Sequence, residues 1–166
     1  MSAPEVFEEF VAARYSALVH SARFLVARPQ DAEDLVQESL ARCVPVWSRI
    51  TGDPEGYVRT VMVRQNISRW RRRRLHEVPV AVLPERGADG AESLLGERDA
   101  LQSALASLAP RQRTAVVLRH VEDRSVEDTA ELMGCSVGTV KSQTHAGLAR
   151  LRELLATVEV AVPAGR

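Results

Sequence analysis

Apolar residues recur at three- and four-residue intervals through the first part of the chain, which is the period of an amphipathic α-helix. The pattern predicts a helix over roughly 4–25, whose apolar residues are Phe7, Phe10, Val11, Tyr15, Leu18 and Val19. A second helix should follow, capped by Asp31 and bent or stopped by Pro45. Its apolar residues are Ala32, Leu35, Val36, Leu40, Cys43 and Val44. Each of these helices should bury one face and expose the other.

A third helix is indicated by Asp53, Pro54 and Glu55, which supply a cap, a first-turn proline and a first-turn acid. It should run into a block of arginines, because residues 57–76 hold seven arginines and no acidic residue. Such a block cannot be a packed core and must face water or a polyanion. Taken alone, it fits a solvated helix end as well as a nucleic-acid contact.

Residues 77–91 carry several prolines and glycines without a sustained period, which is typical of a linker. Beyond them, one helix is predicted over 101–108, another opens at Pro110, and two more follow to Leu155. No alternating strand pattern of useful length occurs in the sequence. The prediction is an all-α protein of two small helical domains joined by a flexible linker. The boundaries are a first domain at 1–76, a linker at 77–91, a second domain at 92–156 and a tail at 157–166.

Composition places the chain among ordinary folded proteins. It has 166 residues, of which 45% are hydrophobic, and its 22 basic residues balance 22 acidic ones. The N-terminal segment is acidic where a secretory signal would be basic, and no apolar run is long enough to span a membrane. We therefore expect a cytoplasmic protein without membrane insertion.

Metal, cofactor and redox chemistry find little support in the sequence. Cys43 and Cys135 lie far apart and fall in apolar or turn positions, so structural thiols are the expectation. The four histidines form no pair at metal-ligand spacing, and no phosphate-binding glycine loop or nucleophile motif is present. The sequence predicts no metal, no cofactor and no enzymatic activity.

Residues 126–145 have the pattern of a helix-turn-helix. Ala130 is small where the helices cross, Gly134 permits a left-handed turn, and Val140 locks the second helix. Ser136 should cap that second helix, whose inward seam is Val140, Thr144, Leu148, Leu151 and Leu155. The opposite face presents polar side chains at the end that enters a major groove, namely Ser136, Thr139, Lys141, Ser142 and His145. The alternative is a plain helical hairpin with a polar surface.

Taken together, three motifs resemble bacterial RNA polymerase sigma factors of the extracytoplasmic-function (ECF) group of the sigma-70 family. The segment Asp31-Ala-Glu-Asp-Leu-Val-Gln-Glu38 looks like the polymerase-binding helix of region 2. The segments Leu108-Ala-Pro-Arg-Gln-Arg113 and Gly134-Cys-Ser-Val-Gly-Thr-Val-Lys-Ser142 look like region 4. The resemblance extends over about residues 4–155 and implies a factor that binds polymerase core and reads the promoter −10 and −35 elements.

The resemblance also implies roles for particular residues. The stripe formed by Asp34, Gln37 and Glu38 would dock on the clamp helices of the largest polymerase subunit, where carboxylates can pair with arginines. The −10 region would be contacted by Trp47, Tyr57, Thr60, Arg64, Ser68, Arg69, Arg71 and Arg72. The −35 region would be contacted by the polar face of the helix-turn-helix. The family often has an anti-sigma factor, so such a partner is a further expectation.

Three alternatives stay open at this point. Without the resemblance, the docking stripe would be a solvated helix face. Trp47 would fit core packing at least as well as a base pocket. Arg64 could form an ion pair with an acidic residue among 31–38. As a whole, the chain could instead be a helix-turn-helix regulator with an N-terminal regulatory or dimerisation domain. That reading leaves the arginine block and the acidic second helix unexplained.

Overall fold

The structure, a computed structural model, describes residues 2–76 and 96–161, and only the backbone of 96–98 and 158–161. The linker predicted at 77–91 lies outside these residues. Within them the chain is helical, without strands, which confirms the predicted all-α class. The α-helices are α1 (Ala3–Leu25), α2 (Asp31–Cys43), α3 (Pro54–His76), α4 (Gly96–Ala106), α5 (Pro110–Val116), α6 (Val126–Met133) and α7 (Val137–Ala161). A 3-10 helix spans Val44–Arg49, and a π-helical segment spans Val117–Val121.

The chain divides into two compact units, residues 1–72 and 73–166. In the first unit α1, α2 and α3 bury their apolar faces around a common core. The side chains at its centre are Leu18, Ala22, Leu35, Val36, Val58 and Met62. Burial of several such side chains, each stabilising by about 1.5–3 kcal/mol, is what holds three otherwise marginal helices together.

The structure confirms the predicted C-terminal end of α2 but not the predicted cap at its N-terminal end. Pro45 stands where the α-helix gives way to the 3-10 helix, as expected for a residue that lacks the N–H of a continuing ladder. The prediction that Asp31 caps α2 is wrong, because Asp31 is the first helical residue and Gln30 precedes it. The Asp31 carboxylate instead accepts from Arg28 Nε at 3.1 Å, so a local ion pair takes the place of a cap.

The second unit is fixed by a buried arginine at the start of α5. Arg113 is only 6% exposed, and its Nε and Nη2 donate to the carbonyls of Leu105 and Leu108, each at 3.0 Å. These carbonyls belong to the end of α4 and the turn after it, where helical partners run out. Burial lowers the pKa of Arg113 to about 10, which leaves the guanidinium charged at neutral pH. Arg113 thus ties α4 to α5 through the backbone.

The helix-turn-helix has the predicted geometry. Gly134 ends α6 with φ 62° and ψ 43°, the left-handed conformation that glycine adopts without strain. Val140 is fully buried and Ala130 nearly so. Gly147 of α7 lies against α5, since a Cβ there would stand 2.7 Å from Val116 Cγ2 and 3.3 Å from the Gln112 carbonyl. The close approach of α5 and α7 therefore requires a residue without a side chain at position 147.

Candidate protein and nucleic-acid interfaces

The candidate docking stripe lies on the outer face of α2, opposite the buried Leu35 and Val36. Asp34 is exposed and makes no hydrogen bond or ion pair with the described residues, while Gln37 Nε2 donates to the Tyr15 hydroxyl at 3.4 Å. Glu38 differs from both because it is half-buried and held by arginines. The structure therefore presents Asp34 and Gln37 at the surface and holds Glu38 through arginine contacts.

Two arginines from different helices approach the Glu38 carboxylate. Arg69 of α3 donates to Oε2 from Nε at 3.1 Å and from Nη2 at 2.5 Å. Arg42, one turn further along α2, has its Nη2 3.7 Å from Oε1. The hydrogen bond from Arg69 is the main cause that keeps the pKa of Glu38 below its ordinary value, with burial opposing it. Glu38 is consequently an ionised link between α2 and α3 at neutral pH.

The polar stripe of α3 is turned to solvent along most of its length. Arg64, Ser68 and Arg71 are exposed, and Arg64 makes no ion pair with the described residues. The alternative of an ion pair between the third helix and the acids of 31–38 is realised by Arg69 instead. Thr60 Oγ1 donates to the Gly56 carbonyl at 2.9 Å, and Arg72 Nε donates weakly to the Ser68 carbonyl at 3.4 Å. The guanidinium of Arg71 stands 5.7 Å from the centroid of the Trp70 ring, within cation–π range.

The two aromatic residues proposed for a base pocket have different surroundings. Trp47 is 8% exposed and packed by Phe7 and Phe10, with ring centroids 4.9 and 4.8 Å away. The core-packing alternative for Trp47 is therefore the one that the structure shows, because its ring is buried against two phenylalanine rings of its own unit. Tyr57, at the start of α3, is 41% exposed and keeps its ring accessible.

Sequence reasoning missed the side chains that position α3. Asn66 is buried, and its Nδ2 donates to the Leu25 carbonyl at the end of α1 at 3.0 Å. At the beginning of α3, Glu55 pairs with Arg59 at 2.7 Å and with Arg14 of α1 at 3.1 Å. The signal for Asn66 was present, since it is a polar residue on the otherwise apolar face that includes Ile67.

The polar face of α7 is held by one capping contact at its beginning. The Thr139 backbone N–H donates to Ser136 Oγ at 3.1 Å, which confirms Ser136 as the cap. Ser142 Oγ donates to the Thr139 carbonyl at 3.1 Å. Lys141 and His145 are exposed and carry no hydrogen bond or ion pair to any described residue. The tips of these two side chains are free to meet a ligand.

A shallow cleft of about 320 Å³ lies beside this face. Its floor is apolar, and its polar side chains are Arg119, His120, Lys141, Thr144 and His145. The Thr144 hydroxyl is buried there without a hydrogen-bond partner among the described residues. The exposed donors of Lys141 and His145 at this cleft suit an anion such as a backbone phosphate, whereas the buried Thr144 hydroxyl is not accessible to one.

Comparison with known families matches both units. The model of sigma-70 region 2 matches residues 10–76, and the model of sigma-70 region 4 matches residues 98–151. The chain belongs to the sigma-70 family of RNA polymerase sigma factors. Within that family it is an alternative sigma factor of the ECF group, which binds polymerase core and directs transcription initiation at promoters.

Named relatives agree with this membership. The RNA polymerase sigma-E factor of Streptomyces coelicolor is 48% identical over 151 residues, covering 90% of this chain and 85% of the relative. That of Streptomyces avermitilis is 46% identical over 151 residues, covering 90% and 84%. Among solved structures, the sigma factor RpoE of Bartonella quintana, crystallised with the anti-sigma factor NepR, has a TM-score of 0.63 and 27% identity, covering 92% of this chain and 98% of that one.

Membrane-spanning helices and metal-binding clusters are both absent from the part of the sigma factor that the structure describes. No helix there is long and apolar enough to cross a membrane. Nor does any group of three or more histidine, cysteine, aspartate or glutamate side chains stand together in a way that could hold a metal ion. Burial raises the pKa of Cys43, which keeps that thiol protonated and unreactive at neutral pH.

Proposed function

We propose that three surfaces of the described units carry the three binding functions of this sigma factor. The stripe Asp34, Gln37 and Glu38 docks on the clamp helices of the largest polymerase subunit. The exposed stripe Thr60, Arg64, Ser68 and Arg71, with Tyr57 and Arg72, contacts the −10 region. The polar face of α7, comprising Ser136, Thr139, Lys141, Ser142 and His145, contacts the −35 element. The work is binding and positioning, without a catalytic side chain, and takes place in the cytoplasm with the polymerase.

The observation that carries the proposal is the polar face of α7. Lys141 and His145 stand free at the beginning of the second helix of a helix-turn-helix, which is the part of that motif that enters a major groove. Lys141 can donate to guanine or phosphate acceptors, and His145 can donate or accept at base edges. The basic cleft beside them supports a phosphate contact that fixes the register of the helix on the duplex.

The test for the −35 surface is transcription by the reconstituted holoenzyme from promoters with single −35 substitutions. Lys141→Ala and His145→Ala should change which −35 bases support transcription, since a lost base contact costs about 1–3 kcal/mol at one position. A lost phosphate contact would instead weaken all promoters alike. Arg150→Ala, an exposed arginine on the side of α7 away from Lys141 and His145, is the matched control. Identical promoter profiles for wild type and both variants would refute the assignment.

The test for the docking stripe is an equilibrium titration with polymerase core in the absence of DNA. Asp34→Lys reverses a charge that has no partner in the described chain, so it should weaken binding about tenfold or more through lost pairing and like-charge repulsion. Glu8→Lys makes the same charge change on exposed α1 and should leave the affinity nearly unchanged. Equal affinities of the two variants would rule out this docking surface.

Control by an anti-sigma factor is proposed on the likeness to RpoE of Bartonella quintana, which was solved with one. An anti-sigma factor that occupied the docking stripe would compete with polymerase core for Asp34 and Gln37. Competition would appear as loss of core binding when the partner is added and its recovery at higher core concentration. Simultaneous binding of both proteins would exclude a shared surface.

A further inference from the structure

We propose that Arg69 is a positioning residue of the polymerase-docking surface. It stands in the arginine block of α3, yet its guanidinium is committed to Glu38 of the docking stripe. In this proposal Arg69 fixes the direction of that carboxylate, so that the promoter helix α3 takes part in polymerase binding. The inference rests on the proposed docking role of the stripe and adds a residue that the stripe itself does not contain.

Arg69 differs from the other arginines of the block in exposure. Its side chain is 20% exposed, whereas Arg71, Arg72 and Arg73 are all exposed to solvent. Two of its nitrogens, Nε and Nη2, point at the same oxygen of Glu38, at 3.1 and 2.5 Å. A guanidinium held in this way at Nε and Nη2 is fixed against the carboxylate, although its remaining N–H groups keep their capacity to donate. The geometry therefore assigns Arg69 to a contact with the protein's own docking stripe rather than to a contact with DNA.

The second oxygen of Glu38 stays available to a partner. Arg42 is 3.7 Å from Oε1, which is beyond hydrogen-bond length, so Oε1 keeps free lone pairs. The Glu38 side chain is 34% exposed, which leaves a route for an incoming cation. A cation from polymerase can thus bind Oε1 while Arg69 keeps Oε2. The contact with Arg69 and the contact with polymerase are compatible rather than competing.

Arg42 is in turn held from the interior. Buried Gln65, with its amide oxygen turned toward Arg42, accepts from that guanidinium at Nη1 (3.2 Å) and Nη2 (3.3 Å). Glu38 therefore has a fixed cation on one side and a second, looser one on the other. A glutamate restrained in this way loses less side-chain freedom on binding than one that turns in solvent. Removal of Arg69 should release that freedom and weaken docking.

The experiment is a double-mutant cycle in the full chain, with affinity for purified polymerase core as the readout and no DNA present. Arg69→Ala should lower the affinity about fivefold, the size of an ordinary coupling between contacting residues. In a Glu38→Ala background the same change should have less than about a twofold effect, since there is no carboxylate left to position. Arg73→Ala removes the same charge from an exposed site of α3 and serves as the control for long-range electrostatics.

Each outcome of the double-mutant cycle either supports or overturns the proposal. A fivefold loss that vanishes in the Glu38→Ala background supports the proposal. An equal loss in both backgrounds overturns it in favour of a purely structural role, and tighter core binding by Arg69→Ala overturns it in favour of a masking role. If Glu38→Ala and Asp34→Lys both leave core affinity unchanged, the proposed docking surface fails and this inference falls with it. If they weaken binding and Arg69→Ala does not, this inference alone is wrong.

A second variant covers the case in which Arg69→Ala does not fold, which circular dichroism of the full chain would reveal. Arg69→Lys keeps the charge but replaces the planar fork by a single ammonium. It should give a smaller loss of core affinity than alanine, which again disappears in the Glu38→Ala background. An undiminished loss in that background would overturn the proposal as well.

Discussion

In the first unit, side chains proposed to dock on polymerase also link one helix to another. In the second unit, the exposed side chains proposed to contact DNA form no hydrogen bond or ion pair with another described helix. Glu38 and Arg69 link α2 to α3, and Gln37 reaches Tyr15 on α1. By contrast, Lys141 and His145 project from α7 without a partner among the described residues. A substitution at Glu38 or Arg69 should therefore disturb fold and function together, and one at Lys141 or His145 should disturb recognition alone.

The scaffold of the second unit depends on a residue away from its proposed DNA-binding face. Arg113 donates from the interior to the carbonyls of Leu105 and Leu108, at the end of α4 and in the turn after it. Because Arg113 holds the second unit together from its interior, substitutions of Lys141 and His145 on the polar face of α7 should leave the fold of this unit intact. The following substitutions test whether the two units really differ in this way.

The largest effect should come from Arg113→Ala. It removes two buried hydrogen bonds between α4 and α5, to the Leu105 and Leu108 carbonyls, and opens a cavity, so the second unit should lose about 3 kcal/mol or more of its free energy of unfolding. Hydrogen exchange of the amides of 104–118 in the full chain would locate the loss. Arg152→Ala, an exposed arginine of the same unit, should change stability by less than about 0.5 kcal/mol. Unchanged exchange in the Arg113 variant would show that α4 is not held in this way.

A somewhat smaller loss is expected in the first unit from Asn66→Ala. The change removes a buried hydrogen bond that joins α3 to the Leu25 carbonyl at the end of α1, which should cost about 1–3 kcal/mol. Chemical denaturation of the full chain followed by tryptophan fluorescence measures it. Arg73→Ala on the exposed side of the same helix is the reference. A variant as stable as wild type would mean that α3 is held by apolar packing alone.

Two glycines of α7 form a matched pair for the next test. At Gly147 an added Cβ meets Val116 and the Gln112 carbonyl, so Gly147→Ala should destabilise by about 1–2 kcal/mol through overpacking. At Gly138 the nearest atom is Ser136 Oγ at 3.8 Å, so Gly138→Ala should be neutral or stabilise by up to about 1 kcal/mol. Thermal unfolding by circular dichroism compares them. The reverse order would show that α5 and α7 can move apart at little cost.

The smallest effect concerns pH. Since Arg69 lowers the pKa of Glu38 in the folded chain, the pair should contribute stability above the ordinary pKa of 4.5 and lose it as pH falls through the folded value. For a partly exposed pair the contribution should stay below about 1 kcal/mol. The difference in unfolding free energy between wild type and Arg69→Ala should therefore shrink between pH 6 and pH 3. Arg73→Ala should show no such trend, and a difference independent of pH would contradict the ionic link.

Much of the fold followed from sequence because its signals are local. Helical periodicity located α1 and α2, Pro54 marked the start of α3, and Gly134 marked the turn before α7. Capping was less predictable: Ser136 caps as expected, but the Asp31 carboxylate is taken by Arg28. Such competition between nearby polar groups cannot be read from residue type alone.

Contacts between segments that are far apart in the sequence are the part of the structure that was least predictable. The link from Glu38 to Arg69 spans 31 positions and that from Asn66 to Leu25 spans 41, so no local pattern announces either one. The π-helical segment Val117–Val121 was likewise not predicted, because apolar spacing does not distinguish one extra residue in a turn. The roles of individual side chains on the three surfaces stay predictions.

The packing of Trp47 against Phe7 and Phe10 has a spectroscopic consequence. Both tryptophans, both tyrosines and all three phenylalanines of the chain fall within residues 1–72, and none occurs in 73–166. Ultraviolet emission and near-ultraviolet dichroism therefore report on the first unit alone, whereas far-ultraviolet dichroism reports on both. Comparing the two signals during unfolding separates the melting of the units in an unlabelled, full-length protein.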